Sequence, residues 1–199
     1  MRSFLKFPRA YLALQYLVGA MSARQRLLAD YANLFKGMRI LDIGCGPGYV
    51  VKYLPDCNYV GFDLDENYIA YAKERYDSSN IFNCGPFDAE CANRYEHFDL
   101  VMMNGLLHHL VDDEAKDLVN LSRSVLKKGG MLLTLDGCYK NLQSSFIRYL
   151  LKKDRGGNVR YESGYRKLLE PFFTVVESDI RSDLSMMPYT YIVMRCKNV

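Results

Sequence analysis

The chain predicts an α/β fold, a seven-stranded and mostly parallel sheet with helices on both faces and a C-terminal antiparallel hairpin. Between residues 39 and 136, short aliphatic runs alternate with amphipathic runs, as in parallel sheets whose crossovers are helices. The run HFDLVMMN at 97–104 is almost continuously apolar, which is typical of a strand buried on both faces. Two β-rich runs near the end have only a short connection between them, which favours an antiparallel pair.

The first 36 residues predict a helical leader. Apolar side chains over residues 10–35 recur mostly at three- and four-residue spacings, the pattern of an amphipathic helix or helix pair. Basic residues before an apolar run also resemble a signal peptide, but Gln15 and Tyr16 interrupt that run. We therefore expect a cytoplasmic protein, and no segment is long enough to span a bilayer.

Strand and helix signals then follow one another along the chain. The strands are expected at 39–43, 58–63, 79–83, 97–104 and 131–136, and the helices at 47–54, 66–76 and 112–126. KKGG at 127–130 is expected to end the last of these helices. The terminal hairpin is expected from FFTVVES at 172–178 and YTYIVMRC at 189–196.

Length and composition limit the class of protein. A chain of 199 residues is long enough for one domain and too short for two of ordinary size, so we expect a single domain over 1–199. A net charge of +3 is too small for a dedicated nucleic-acid binder. The six cysteines include no C-x-x-C pair and no Cys/His group with zinc spacing, so buried thiols in a reducing compartment are expected.

The stretch LDIGCGPG at 41–48 comes at the end of the first strand. Open parallel sheets bind ligands at the carboxyl ends of their strands, and glycine lets the backbone approach a ligand closely. The dinucleotide fingerprint G-x-G-x-x-G does not fit, because Gly48 comes one residue early and Pro47 removes an amide. A ligand with a smaller charged end than a pyrophosphate fits better, and a tight turn without a ligand is the alternative.

The second strand ends in GFDLD, which places Asp63 beside the glycine turn. A carboxylate at this position accepts hydrogen bonds from both ribose hydroxyls, so a nucleoside ligand is implied. The alternative is an exposed aspartate that caps the next helix.

Four stretches together resemble the successive motifs of class I S-adenosylmethionine-dependent methyltransferases. They are LDIGCGPG, GFDLDENYIAYAKER, FDLVMMNGLLHHL and LKKGGMLLTLD, in the family's order and spacing from about residue 38 to 136. The resemblance implies S-adenosyl-L-methionine as the cofactor and a seven-stranded sheet that ends in an antiparallel hairpin.

The resemblance also implies which residues contact the cofactor. They are Gly44, Cys45, Gly46 and Gly48 around the methionine end, Asp42 holding the turn near the amino group, Asn104 facing the methionyl part, Asp63 at the ribose, Leu64 flanking the adenine, and Asp88 with the amide of Ala89 at the adenine edge.

Two adjacent histidines, His108 and His109, are the candidate catalytic residues. The cofactor's sulfonium makes its methyl group a good electrophile, so alignment of the acceptor supplies much of the catalysis, roughly 7–11 kcal/mol in well-placed systems. An imidazole just past the fourth strand could remove the proton of an acceptor hydroxyl near neutral pH, and we favour His109 slightly for this role. The alternative is a structural turn in which one histidine caps the backbone.

Some motifs of related chemistry are missing from the sequence. It contains no N/D-P-P-Y/F stretch and no Pro-Cys pair, which argues against methylation of adenine amino groups and of pyrimidine rings. After the fifth strand, LDGCYKN offers only Asp136 as a carboxylate, unlike the magnesium site of catechol-type enzymes. We therefore expect no metal site and a metal-independent enzyme.

The acceptor site is expected to form between the leader and an insertion at 137–170. Arg155 and Arg160 lie around the pair Gly156–Gly157, which could hinge a lid. Their guanidinium groups suit a phosphate or carboxylate on the acceptor, and the alternative is a solvated basic helix end.

We expect an enzyme that methylates a small or lipid/glycan-linked acceptor, at oxygen rather than at carbon or nitrogen. DRGGNVR and PYTYIVMRC resemble small bacterial methyltransferases of polysaccharide or lipid-linked glycan modification. The open alternatives are a quinone- or polyketide-type methyltransferase and a non-catalytic cofactor-binding partner subunit. An RNA-binding role is a further alternative, for which affinity would fall steeply with salt.

Overall fold

A computed structural model describes residues 19–95, 97–154 and 156–199, without the side chain of Ala20. The predictions made for residues 1–18 and for Arg155 lie outside the described residues. The helices are α1 Ala20–Tyr31, α2 Glu66–Arg75, α3 Ala89–Arg94, α4 Asp112–Ser124, α5 Ser145–Lys152 and α6 Glu162–Leu169. The strands are β1 Arg39–Ile43, β2 Asn58–Asp63, β3 Ile81–Cys84, β4 Phe98–Asn104, β5 Leu126–Tyr139, β6 Arg160–Tyr161, β7 Val175–Arg181 and β8 Tyr191–Lys197.

The main sheet has the order β3-β2-β1-β4-β5-β8-β7. Strands β1 to β5 pair in parallel, whereas β8 pairs antiparallel with both β5 and β7. The predicted mostly parallel sheet and its antiparallel C-terminal hairpin are therefore confirmed.

An eighth strand corrects the predicted number of seven. The two-residue strand β6 pairs in parallel with Cys138 and Tyr139 at the end of β5. Because the amide of Cys138 still donates to the carbonyl of Thr190 on the β8 side, β6 occupies the opposite edge of β5. β4 pairs with that edge only as far as Leu135, so β6 brings the insertion directly beyond the carboxyl end of β4.

Two local predictions were wrong, and one helix was missed. The helix expected at 47–54 is a short 3₁₀ helix over Tyr49–Tyr53. KKGG does not terminate the preceding helix, which ends at Ser124; it lies inside β5, where the register with β4 shifts. Helix α3 was not predicted; Asp88 caps its start by accepting a hydrogen bond from the amide of Cys91.

Apolar side chains cover the sheet on both faces. One core cluster joins Leu41 of β1 to Val119 of α4 and Leu168 of α6. The other joins Ile40 of β1 to Leu27 of α1 and Ile69 of α2. All seven residues of β4 are buried, as expected for a central strand, so the loops after β1, β2 and β4 rest on a rigid base. No helix among the described residues combines the length and the apolarity that a membrane span requires.

Candidate active site

A cleft of about 490 Å³ opens at the carboxyl ends of β1 to β4. Its wall comes from the loops that follow these strands, as in other open parallel sheets, and from α4, which contributes Glu114, Asp117, Leu118 and Leu121. The residues that line it include Gly44, Asp63, Leu64, Asp88, Ala89 and Leu106. Five of these six were predicted from the sequence as cofactor contacts. The remaining predicted contacts, Asp42, Cys45, Gly46, Gly48 and Asn104, lie outside this wall.

The loop after β1 turns through three left-handed glycines. Gly44, Gly46 and Gly48 have φ values of 77°, 56° and 70°, which side chains rarely adopt. The amides of Gly44 and Cys45 donate to the carbonyl of Phe62 and tie the loop to β2. A Cβ on Gly46 would meet no atom within 4 Å, so the loop borders open space there. An added Cβ at Gly46 would therefore not clash with a described atom, although Gly46 itself is buried.

Asp63 joins the glycine loop to the second strand. Its Oδ2 accepts a hydrogen bond of 2.7 Å from the amide of Gly46, and its Oδ1 accepts one of 2.9 Å from the amide of Asp65. Burial raises the pKa of this carboxyl, and the two backbone amides partly oppose that rise. Because a carboxylate has about four acceptor positions, two remain for the hydroxyls of a ligand.

Asp42 lies beneath the glycine loop in the buried core. Its Oδ2 accepts a hydrogen bond of 2.9 Å from the hydroxyl of Tyr59, whereas its Oδ1 has no partner among the described residues. Burial raises the pKa of Asp42 to about 7, although the Tyr59 hydrogen bond lowers it. An unpaired buried carboxylate oxygen is costly, which suits a position where a ligand cation comes near.

The other end of the cleft is largely apolar. Leu64 is 74% exposed and lies on its rim. Asp88 has its pKa lowered by the hydrogen bond from the amide of Cys91, so it is a charged acceptor at the rim. Leu106 and Leu110 of the loop after β4 complete the wall, and our sequence analysis missed both. Their only signal was an apolar pair of positions inside NGLLHHL.

His108 is buried between two carboxylates beyond the end of β4. Its Nδ1 lies 2.7 Å from Oδ1 of Asp136, and its Nε2 lies 3.2 Å from Oδ1 of Asp154. Burial alone would lower the pKa of His108, but these two carboxylates outweigh it and raise the pKa to about 9. With both ring nitrogens engaged, His108 is an imidazolium at neutral pH and has no lone pair with which to act as a base.

His109 is exposed, and its ring centroid lies 4.4 Å from that of His108. His108, His109 and Asp154 also bring ligand-type atoms within 4.8 Å of one another, the arrangement nearest to a metal site in the part of the chain that the structure describes. The hydrogen bond of His108 to Asp154 and its ring contact with His109 account for this proximity, and the expectation of a metal-independent protein stays a prediction.

Comparison with known proteins identifies the fold. The family model described as "Methyltransferase domain" matches residues 40–130. Phosphoethanolamine N-methyltransferase 1 of Arabidopsis thaliana is 31% identical over 164 residues, which are 77% of this chain and 32% of that protein. A solved structure of geranyl diphosphate methyltransferase with its cofactor superposes with a TM-score of 0.71 at 16% identity, covering 89% of this chain and 85% of that one.

These similarities support the assignment of the chain as a class I S-adenosylmethionine-dependent methyltransferase. A further relative of the family is malonyl-[acyl-carrier protein] O-methyltransferase of Acetivibrio thermocellus, which is 36% identical over 98 residues, 47% of this chain and 33% of that protein. The chain thus spans about a third of the length of both curated relatives. The family's cofactor is S-adenosylmethionine, and the glycine loop, Asp63 and the open space at Gly46 fit a sulfonium nucleoside.

The insertion of this methyltransferase domain is held down by Arg160. Its Nη1 donates to the carbonyls of Leu107 and Asn158, its Nη2 donates to the carbonyl of Leu110 and to Asp112, and its Nε also donates to Asp112. All five N–H donors of the guanidinium are therefore used inside the protein. Arg160 has no donor left for an acceptor anion, so we do not carry its predicted substrate-binding role forward.

Asn104, the last residue of β4, is buried, and its Oδ1 has no partner among the residues that the structure describes. The predicted contact of Asn104 with the methionyl part of the cofactor stays a prediction. Asp154 and Tyr189, which position His108, were not predicted, because each is far from His108 in the sequence.

Proposed function

We propose that the protein transfers a methyl group from S-adenosylmethionine to an oxygen of a small or lipid/glycan-linked acceptor. The observation that carries the proposal is the cleft of about 490 Å³, which is lined by Asp63, by Gly44 of the glycine loop and by Asp88 at the rim. Such a cleft suits a nucleoside whose sugar hydroxyls reach the open acceptor positions of Asp63.

In this mechanism the bound cofactor supplies an electrophilic methyl group. The chain's own residues orient it: the loop at Gly46 takes the methionine end, Asp63 takes the ribose, and Asp88 with the amide of Ala89 takes the adenine edge. Asp42 and Asn104 contribute their unpaired oxygens near the methionyl part. Alignment of an acceptor oxygen with the methyl–sulfur axis then provides most of the rate.

We propose His109 as the base that receives the proton of the acceptor hydroxyl. Of the two candidate histidines, His108 has both ring nitrogens engaged by carboxylates, whereas His109 has an exposed ring beside it. A positioned base contributes about 10²–10⁴-fold. His109→Ala should therefore lower the single-turnover rate at least a hundredfold, and a rate within twofold of wild type would remove the base role.

A screen with methyl-labelled S-adenosylmethionine tests the proposed function. The purified chain should first bind S-adenosylhomocysteine in calorimetry, and it should then label hydroxylated lipids or glycans. Quinones, polyketides and small phosphorylated amines form the comparison arms, since two relatives are named for an amine and for an acyl-carrier substrate. Labelling of an amine alone would contradict transfer to oxygen, and an absence of cofactor binding would contradict the whole proposal.

A further inference from the structure

The loop over residues 105–111, which we call the wall loop, lies between the cofactor cleft and the insertion. On one side, the side chains of Leu106 and Leu110 line the cleft. On the other side, its backbone carbonyls face the segment formed by Asp154 and residues 156–160, which we call the strap. The wall loop therefore has one face toward the cofactor and one toward the acceptor side of the molecule.

Four backbone and side-chain contacts fasten the strap to the wall loop. Arg160 donates to the carbonyl of Leu107 at 2.9 Å and to that of Leu110 at 2.8 Å. The amide of Asn158 donates to the carbonyl of His108 at 2.9 Å. The fourth contact joins Nε2 of the His108 ring to Oδ1 of Asp154, which accepts its hydrogen bond.

The strap is fixed from behind as well. Oδ2 of Asp154 accepts a hydrogen bond of 2.7 Å from the hydroxyl of Tyr189, just before β8. Gly156 packs so closely on His108 that a Cβ there would overlap the ring and the carbonyl oxygen. Asp154 and Arg160 themselves do not line the cleft. Both residues act on the cleft through elements that line it: the wall loop and, for Arg160, also α4, whose first residue Asp112 it binds.

We propose that Asp154 and Arg160 are positioning residues that couple the insertion to cofactor binding. With the strap docked, the wall loop holds Leu106 and Leu110 in place and the cleft has its full affinity. With the strap released, four carbonyl and ring contacts are lost and the wall is free to shift. Since coupling between two sites is reciprocal, a bound cofactor must hold the strap down as strongly as the strap tightens the cofactor.

The first test measures S-adenosylhomocysteine affinity by calorimetry in the full chain. We expect Arg160→Lys and Asp154→Asn to weaken binding at least fivefold, although neither residue touches the cleft. The matched control is Arg166→Lys, because Arg166 bonds to Glu170, Val176 and Ser178 and not to the wall loop. Its affinity should stay within twofold of wild type. Tyr189→Phe removes one hydrogen bond behind the strap and serves as the milder variant if another fails to fold.

The second test uses reciprocity, which a merely structural role does not produce. Trypsin cleaves after exposed lysines, and Lys152 and Lys153 stand directly before the strap. S-adenosylhomocysteine should slow cleavage at these lysines at least fivefold in wild type and less than twofold in Arg160→Lys. A variant that was only less stable would be cleaved faster but would keep the same ligand protection ratio.

The inference rests on the proposed function, since it requires the cleft to take the cofactor. If the wild-type protein does not bind S-adenosylhomocysteine, both the proposed function and this inference fail. If wild type binds, and both strap variants bind within twofold of it, the coupling alone is overturned. Equal protection ratios in wild type and Arg160→Lys would overturn it as well.

Discussion

The loop after β1 and the strap both carry glycines, yet they use them in opposite ways. An added Cβ on Gly46 would meet no described atom, and Oδ1 of Asp42 beneath the same loop has no partner among the described residues. Gly156 is pressed onto His108, and the polar groups around it use both ring nitrogens of His108 and all five donors of Arg160. The first region leaves acceptor atoms for the cofactor that we propose, and the second uses its polar groups to hold the protein to itself.

The largest expected effect is a loss of stability when a methyl group is added at Gly156, which packs against His108. Gly156→Ala would place a methyl group against the ring and carbonyl of His108, and overpacking of this kind costs about 3 kcal/mol at the upper end of its usual range. Gly157→Ala is the control, because Gly157 has a φ of 74° and open space around it, so only backbone strain of about 1–2 kcal/mol applies. Urea unfolding compares the two, and equal losses would contradict the packing difference.

The pH dependence of stability tests the region of the glycine loop, through the buried carboxyl of Asp42 beneath it. The pKa of Asp42 is raised to about 7, so the folded state binds more protons than the unfolded state between the ordinary carboxyl pKa and that value. Stability therefore falls as pH rises through this window. Between pH 5 and pH 8, wild type should lose on the order of 2 kcal/mol more than Asp42→Asn in urea unfolding. Parallel pH profiles of the two proteins would show that Asp42 ionises normally.

Cofactor affinity should depend on Asp63 more than on its neighbour. Asp63→Ala removes a charged acceptor, and hydrogen bonds to charged groups are worth about 1.5–3 kcal/mol each, so S-adenosylhomocysteine should bind at least tenfold more weakly. Asp65→Ala is the control, since Asp65 caps α2 by accepting from the amides of Asn67 and Tyr68. It should cost about 1 kcal/mol of stability and leave affinity unchanged. Unchanged calorimetric affinity in Asp63→Ala would refute the ribose assignment.

The smallest effect is expected at Gly46. Gly46→Ala and Gly129→Ala carry the same kind of backbone strain, because both glycines have positive φ and no atom within 4 Å of an added Cβ. Both should lose about 1–2 kcal/mol of stability. Only Gly46→Ala should also weaken the binding of S-adenosylhomocysteine, about threefold or more, because Gly46 lies in the loop that we propose for the methionine end, whereas Gly129 lies in β5. Equal calorimetric affinities would place the methionine end elsewhere.

The cofactor half of the molecule could be predicted from the sequence, because its signals are local. A strand followed by LDIGCGPG and a second strand ending in GFDLD fix where Gly44 and Asp63 lie, since parallel strands carry their carboxyl ends to one edge. The parallel part of the sheet is confirmed, and so is the terminal hairpin, which was predicted from the short connection between its strands. The errors lay where local signals were short, as at the 3₁₀ helix of Tyr49–Tyr53 and the KKGG segment inside β5.

Tertiary structure alone decided how the wall loop and the insertion are held together. His108 meets Asp136 across 28 positions, and Arg160 meets Leu107 across 53 positions, pairings that no spacing in the chain predicts. The sequence determined which residue types were present, a pair of histidines and a basic segment near two glycines. Whether a histidine is held as an imidazolium, and whether an arginine has a donor to spare, depends on which distant groups the packed fold brings within hydrogen-bonding distance.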